Sequence, residues 1–164
     1  MEQLMVTPIR PIELIIGKAI PFALVGLFNM VTITVASLLV FQVPFRGTVA
    51  MLVGSTMVFL MTSLGIGLFV STISKTQQQS EMATFFIMQP LFMLSGFAVP
   101  IRNMPDGIQY LTYLNPLRYY LDIVRGVFLK GSGIDILWPQ VTVLAIFGVA
   151  ILSLSATRFT KRLD

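Results

Sequence analysis

The chain has 164 residues, of which 55% are hydrophobic and only 11% are charged, whereas a soluble domain usually carries about 25% charged residues. This composition, with a mean hydropathy of +0.87, predicts an integral membrane protein and excludes a water-soluble fold. The net charge of +4 forms no dense basic patch for nucleic acid, and the absence of cysteine and histidine excludes disulfides, thiolate catalysis and the common zinc sites.

The first predicted element is an amphipathic segment, residues 1–18, with the sequence MEQLMVTPIRPIELIIGK. Thr7-Pro8 interrupts a first short turn, and Pro11 restarts a helix at its first position. Glu13 then lies near the positive end of this helix, which continues into the first apolar stretch. Such a segment is either an ordinary interfacial helix or a docking element for a cytosolic partner.

Four stretches without charged residues follow, and each is long enough to cross a hydrocarbon core about 30 Å thick. They predict four membrane-spanning helices at about residues 19–41, 48–73, 82–101 and 136–157. We therefore expect an all-α integral membrane protein with one transmembrane domain over residues 1–164. Four spans place both termini on the same side of the membrane.

The basic residues give a small preference for orientation. With both termini in the cytoplasm, six of the eleven Lys and Arg residues lie inside and five lie outside. The compact group Arg158, Lys161 and Arg162 directly after the last span favours a cytoplasmic C-terminus.

The predicted spans contain no ionisable residue, which argues against a proton relay at membrane depth. No phosphate loop of the type GxxxxGK[ST] occurs, so any energy for uphill movement has to come from another subunit. Ser63, Gly67 and Ser71 repeat every four residues and predict a helix-packing seam, either within the bundle, which we favour, or between two copies. The few polar side chains at depth either bond between helices or to the backbone of their own helix, or line a path for a substrate.

The connection between the last two spans, residues 102–135, has structure of its own. Asn115-Pro116 predicts a helix start, and Lys130-Gly131 predicts its end. The spacing of Arg118, Asp122 and Arg125 allows the acid to pair with both bases. The resulting amphipathic helix either lies in the interface or re-enters the bilayer, as an anchor or as a lid over a path. Its apolar face consists of Leu117, Tyr120, Leu121, Val124, Val127 and Phe128.

Several motifs in the same order carry a family resemblance over almost the whole chain. EQLMVTP at Glu2–Pro8, followed by PIELIIGK, resembles the cytoplasmic coupling segment of ATP-binding-cassette type-2 exporter permeases. TQQQSEMATF from Thr76 is similar to the loop before that family's second-last span. The family's most recognisable block is similar to SGFAVPIRNMP, LTYLNPLRYYLDIVRGVFLKG and LWP, between Ser95 and Pro139.

The resemblance implies a permease subunit of the bacterial inner membrane, with no catalytic, cofactor or metal site of its own. It implies a cytosolic ATP-binding-cassette ATPase that binds ATP and magnesium, a second permease subunit in a homo- or heterodimer, and cytoplasmic termini. The coupling residues that would contact the ATPase are Glu2, Gln3, Leu4, Met5, Val6, Thr7 and Pro8. The outer-face re-entrant segment would include Pro105, Asn115, Pro116, Arg118, Tyr119, Asp122, Arg125 and Gly126.

The family usually has six spans, with one span and a large periplasmic region before the coupling segment. We therefore expect a misassigned start or a remnant of a longer gene rather than a short subunit. The expected function is export of small amphipathic compounds by alternating access, and the substrate-contacting residues are unknown. The alternative is a truncated, non-transporting membrane fragment or assembly subunit of such a permease.

Overall fold

The structure is a computed structural model that describes residues 11–160. Helices are the only regular secondary structure in this range, which confirms the predicted all-α class. The six α-helices are α1 (Pro11–Leu39), α2 (Val49–Ile73), α3 (Gln77–Met93), α4 (Asp106–Thr112), α5 (Pro116–Arg125) and α6 (Ile134–Thr160). A 3₁₀ turn at Ile101–Asn103 precedes α4, and a π-helical turn at Gly126–Lys130 follows α5.

Three of these helices are long enough and apolar enough to cross a membrane. Their spans are Ala19–Leu39 in α1, Val49–Ile73 in α2 and Ile134–Ser155 in α6. No residue in the span of α1 is buried, and Phe22 and Phe28 expose 65% and 71% of their surfaces. So much exposed apolar surface fits a helix whose solvent is lipid.

The third predicted span, residues 82–101, is helical only in its first part, since α3 ends at Met93. The 17 residues of α3 measure about 26 Å, and its first five residues, QQQSE, are polar. Pro90 lacks the N–H that would bond to the preceding turn, and Gly96 has a φ of +82°, which few other residues adopt. A membrane crossing at residues 82–101, and with it the total of four spans, therefore stays a prediction.

Helices α2 and α6 form the centre of the bundle and run in the same direction. Gly133, just before α6, shares a groove with Thr48, just before α2. Near the other ends of the two helices, the Ser155 hydroxyl donates to the Gly65 carbonyl at 2.9 Å. Because both helices begin at the same end, the chain between them has to return across the bundle.

The end of the bundle at which α2 and α6 begin is formed by residues 40–48 and 126–134, and we call it the head end. The Arg46 N–H donates to the Phe128 carbonyl at 3.2 Å. Gly47 lies so close to Val127 that an added Cβ would be 2.6 Å from the Val127 carbonyl oxygen. The loop between α1 and α2 is thus joined to the π-helical turn by backbone contacts.

Small residues allow α2 and α6 to approach closely. An added Cβ at Gly65 would be 2.9 Å from Ile151 Cγ2. A Cβ at Gly148 would be 3.0 Å from the Thr62 hydroxyl oxygen. The seam between the two helices therefore follows Thr62 and Gly65 on α2.

The predicted seam of Ser63, Gly67 and Ser71 within the bundle is wrong. Gly67 and Ser71 are exposed, and a Cβ added to Gly67 would meet no atom within 4 Å. Ser63 instead lines a cavity with residues of α3 and α5. Since each helical residue turns the chain by about 100°, Gly67 lies about 200° around α2 from the true contact at Gly65.

Helix α5 does not traverse the bundle but begins about halfway along α2. Pro116, its first residue, lines a cavity with Phe59 of α2. One turn later the Tyr120 hydroxyl lies 3.1 Å from the Thr56 hydroxyl. The chain then reaches the head end, so α5 runs antiparallel to α2. The buried core there joins α2, α5, the π-helical turn and α6 through Leu52, Ile123, Val127, Leu137 and Leu144.

Candidate functional site

The site is the helical hairpin formed by α4 and α5, together with the residues that hold it against α2 and α3. Asn115, which is 1% exposed, is the N-cap of α5 as predicted. Its Oδ1 accepts a hydrogen bond from the Leu117 N–H at 3.0 Å, and its Nδ2 donates to the Leu91 carbonyl at 2.6 Å. Because Leu91 lies in the last turn of α3, one side chain satisfies a free N–H of α5 and a terminal carbonyl of α3.

Two side chains of α5 bind back to α4 and its connection. The Arg118 guanidinium donates to the Thr112 hydroxyl and lies 4.1 Å from the centre of the Tyr113 ring. The Tyr119 hydroxyl donates to the Tyr113 carbonyl at 2.9 Å. A cation over an aromatic face adds electrostatic attraction to the hydrogen bonds, so α4 and α5 pack as one unit.

The remaining predicted residues of the segment lie nearer the head end. Pro105 occupies the N-cap position of α4. Arg125 donates to the Gly96 carbonyl at 2.9 Å, which connects α5 to the turn after α3. Gly126 begins the π-helical turn, and an added Cβ there would be 3.0 Å from Leu137 Cδ2. Gly131, with a φ of +64°, ends the helical segment as predicted.

The predicted pairing of Asp122 with Arg118 and Arg125 is wrong. Both guanidinium groups bind the partners described above, and no hydrogen bond or ion pair in the described part of the chain involves the Asp122 carboxylate. Burial raises the pKa of Asp122, and the more distant charges of Arg118, Arg125 and Lys130 oppose this without cancelling it. The acid is therefore half-buried without a direct partner.

Tyr120 and Phe59 form a contact that the sequence did not single out. Their rings stack with centroids 4.3 Å apart and an angle of 9° between the planes. Burial raises the pKa of Tyr120, and its hydroxyl meets Thr56, which also donates to the Leu52 carbonyl at 2.7 Å. The only sequence signal was the concentration of tyrosines in this segment, which does not specify a partner.

Two cavities flank the hairpin. The first, of about 180 Å³, is apolar and lies where α2, α3 and α5 meet, beside Phe59, Met88 and Pro116. The second, of about 460 Å³, lies at the head end and includes Asp122 and Gln140 in its wall. The sequence pattern did not single out Gln140 either, because a single polar residue in an apolar helix carries no specific signal.

The coupling residues Glu2, Gln3, Leu4, Met5, Val6, Thr7 and Pro8 lie outside the described residues. Between residues 11 and 160, no group of three or more histidine, cysteine or acidic residues is arranged to hold a metal ion.

Comparison with known proteins gives a consistent result. The sequence profile of ABC-2 type transporters matches residues 1–129. The chain is 34% identical over 154 residues to the probable multidrug ABC transporter permease YbhR of Escherichia coli K12, covering 92% of this chain and 42% of that protein. It is 33% identical over 165 residues to the probable multidrug ABC transporter permease YbhS of the same strain, covering 100% of this chain and 44% of YbhS.

A third relative is the inner membrane transport permease YhhJ of Escherichia coli K12, with 28% identity over 98% of this chain and 43% of YhhJ. The chain thus spans less than half the length of each of these curated relatives. No solved structure matches it.

Proposed function

Because the chain belongs to the ABC-2 type transporter family, we propose that it forms part of the membrane-spanning permease of an exporter for small amphipathic compounds. The observation that carries the proposal is the α4–α5 hairpin, which extends from the head end only halfway along α2. Asn115 and Tyr120 hold this hairpin against α3 and α2. Movement of such a partial insertion opens or closes one end of a path while the long helices keep their places.

The energy for export is proposed to come from a separate ATPase that binds ATP and magnesium. In support, the apolar spans of α1 and α2 contain no ionisable side chain, and the span Ile134–Ser155 of α6 has only Asp135, at its start. A transporter coupled to protons usually keeps such groups at membrane depth. Two of the relatives are named ABC transporter permeases, which also supports an ATPase partner.

The proposed arrangement has the coupling residues Glu2–Pro8 docked on the cytosolic ATPase and a second permease subunit completing the transporter. Alternating access moves the compound outward across a bacterial inner membrane, with both termini in the cytoplasm. The fourth crossing is assigned to α3 and the chain up to Pro100. The name of YhhJ, an inner membrane transport permease, supports the location.

The test is co-expression of the chain with a cytosolic ATP-binding-cassette ATPase, followed by reconstitution into liposomes. We expect ATP-dependent movement of a fluorescent amphipathic dye, ATP hydrolysis stimulated by the dye, and neither effect with a non-hydrolysable ATP analogue. Stable insertion without any nucleotide-dependent change contradicts the export proposal and favours the non-transporting assembly subunit. Ion flux in liposomes without the ATPase also contradicts it and favours a stand-alone carrier.

A further inference from the structure

The cavity of about 460 Å³ at the head end has an unusual set of charges in its wall. It lies between α5, the π-helical turn and the first turns of α6. Arg102, Arg125 and Lys130 line it, and Asp122 is the one acidic residue among its lining residues. With all four side chains ionised, the wall has an excess of positive charge, which favours an anionic ligand.

The basic residues of this cavity have hydrogen-bond donors to spare. Among the described residues, the side chains of Arg102 and Lys130 have no hydrogen bond or ion pair, and both are exposed. Arg125 uses one nitrogen for the Gly96 carbonyl. A phosphate group accepts hydrogen bonds from several such donors at once, and these charge-assisted bonds are stronger than neutral ones.

The same cavity also has two acceptors without donors. Gln140 Oε1 is buried and has no hydrogen-bond partner, and the Asp122 carboxylate has none either. Buried acceptors are normally satisfied, so the unpartnered Gln140 Oε1 beside the half-buried Asp122 carboxylate indicates space for a donor. A ligand that matches this wall therefore carries a phosphate and, a few bonds away, a hydroxyl or ammonium group.

Apolar side chains complete the same wall. Leu129 and Ile136 line the cavity and expose 52% and 66% of their surfaces. A free phosphate gains nothing from these side chains, whereas an acyl chain attached to the phosphate covers them. The combination favours an amphiphile over a soluble anion.

We propose that this head-end cavity binds the head group of a membrane phospholipid. The phosphodiester contacts Arg102, Arg125 and Lys130, and a hydroxyl or ammonium group of the head group donates to Asp122 and Gln140. The acyl chains then lie along the exposed apolar surface at Leu129 and Ile136. This lipid site is separate from the exported compound and does not depend on the proposed export function.

The first test uses the purified wild-type chain in detergent, freed of lipid and titrated with defined lipids under native mass spectrometry. Phosphatidylglycerol carries a phosphate and hydroxyl donors, whereas phosphatidylcholine carries the phosphate without a head-group donor. We expect phosphatidylglycerol to bind with a Kd about tenfold lower than that of phosphatidylcholine. Equal affinities overturn the proposal. Displacement of the lipid by inorganic phosphate alone would show that the cavity binds free phosphate rather than a lipid head group, which also overturns it.

The second test uses variants of exposed residues. Arg102→Gln and Lys130→Gln each remove one phosphate contact, and we expect each to raise the Kd for phosphatidylglycerol about fivefold. Arg46→Gln is the matched control, because Arg46 is an exposed base at the same end of the bundle but outside the cavity wall. If all three variants raise the Kd equally, or if none of them changes it, the proposed lipid site is wrong. Circular dichroism of each variant checks its helical content.

Discussion

Asn115 and Leu91 join the start of one helix to the end of another through a hydrogen bond of 2.6 Å from Nδ2 to the carbonyl oxygen. The other side-chain atom, Oδ1, accepts from the Leu117 N–H at 3.0 Å. The Asn115 side chain that makes both bonds is buried, since it is 1% exposed. The end of α3 and the start of α5 are thereby a single junction, about halfway along α2.

Replacing this junction residue should destabilise the bundle. In Asn115→Ala, α5 loses its N-cap and the Leu91 carbonyl loses its donor, so we expect the free energy of unfolding to fall by about 2 to 3 kcal/mol. Asn115→Ser keeps a good N-cap but is too short to replace the bond to Leu91, so we expect an intermediate loss. Reversible unfolding in mixed micelles measures these changes.

Asn103→Ala is the control for the junction, since Asn103 is exposed in the 3₁₀ turn and should change the free energy of unfolding by less than about 0.5 kcal/mol. If Asn115→Ala is as stable as this control, the bonds to Leu91 and Leu117 do not hold the hairpin in place.

The seam between α2 and α6 predicts opposite outcomes for two nearby glycines. Gly65→Ala places a methyl group 2.9 Å from Ile151 Cγ2, and we expect overpacking to cost about 1 to 3 kcal/mol of stability. Gly67→Ala meets no atom within 4 Å, so its stability should stay within about 0.5 kcal/mol of the wild type. Thermal unfolding in detergent compares the two. Equal effects would show that α2 contacts α6 through a different face.

The half-buried Asp122 predicts a pH dependence of stability. Burial raises the pKa of Asp122 in the folded protein, so between its ordinary value of 3.8 and this raised value the folded state binds more protons than the unfolded state. Raising the pH through this window therefore lowers the free energy of unfolding, and lowering the pH to 3.8 removes the penalty. Asp122→Asn has no such penalty, so we expect it to be more stable than the wild type at neutral pH.

The measurement is unfolding of both proteins in lipid-free detergent, from neutral pH to below 3.8. The difference between Asp122→Asn and the wild type should shrink as the pH falls. A constant difference means that the substitution acts through packing rather than through the charge of the carboxylate.

The proposed coupling segment predicts a loss of coupling rather than of folding. Leu4→Asp places a charge in an apolar contact with the ATPase, where an unpaired charge is costly, so we expect dye-stimulated ATP hydrolysis to fall by more than about tenfold. Asn103→Asp introduces the same charge at an exposed position of the 3₁₀ turn and should leave the stimulation unchanged. Full stimulation in Leu4→Asp argues against docking through residues 2–8.

Local features of the hairpin were predictable because they depend on neighbouring residues alone. Asn115 before Pro116 specifies a helix start, since the side chain reaches the N–H of Leu117 within its own turn. Gly131 specifies the end, since its positive φ is accessible to glycine without strain. These signals do not depend on what packs around α5.

Side-chain partners were predicted wrongly where a nearby residue in the sequence could have served as the partner but a more distant residue does so in the structure. The spacing of Arg118 and Asp122 permits an ion pair, yet folding brings Thr112 and Tyr113 to the same guanidinium group. A charge-free run also does not reveal where a helix stops. For this reason residues 82–101 read as one span, although α3 ends at Met93.

The sequence by itself determined that this chain is helical and apolar enough to lie in a membrane, because hydrophobicity over a long window depends on composition and not on tertiary contacts. It also determined the start and the end of the short helix before α6. Only the tertiary structure decided which face of α2 meets α6, where the hairpin binds, and that Asp122 and Gln140 share a cavity. Those features depend on close approach between residues far apart in the chain, such as Gly65 and Ser155, and no local pattern encodes such a distance.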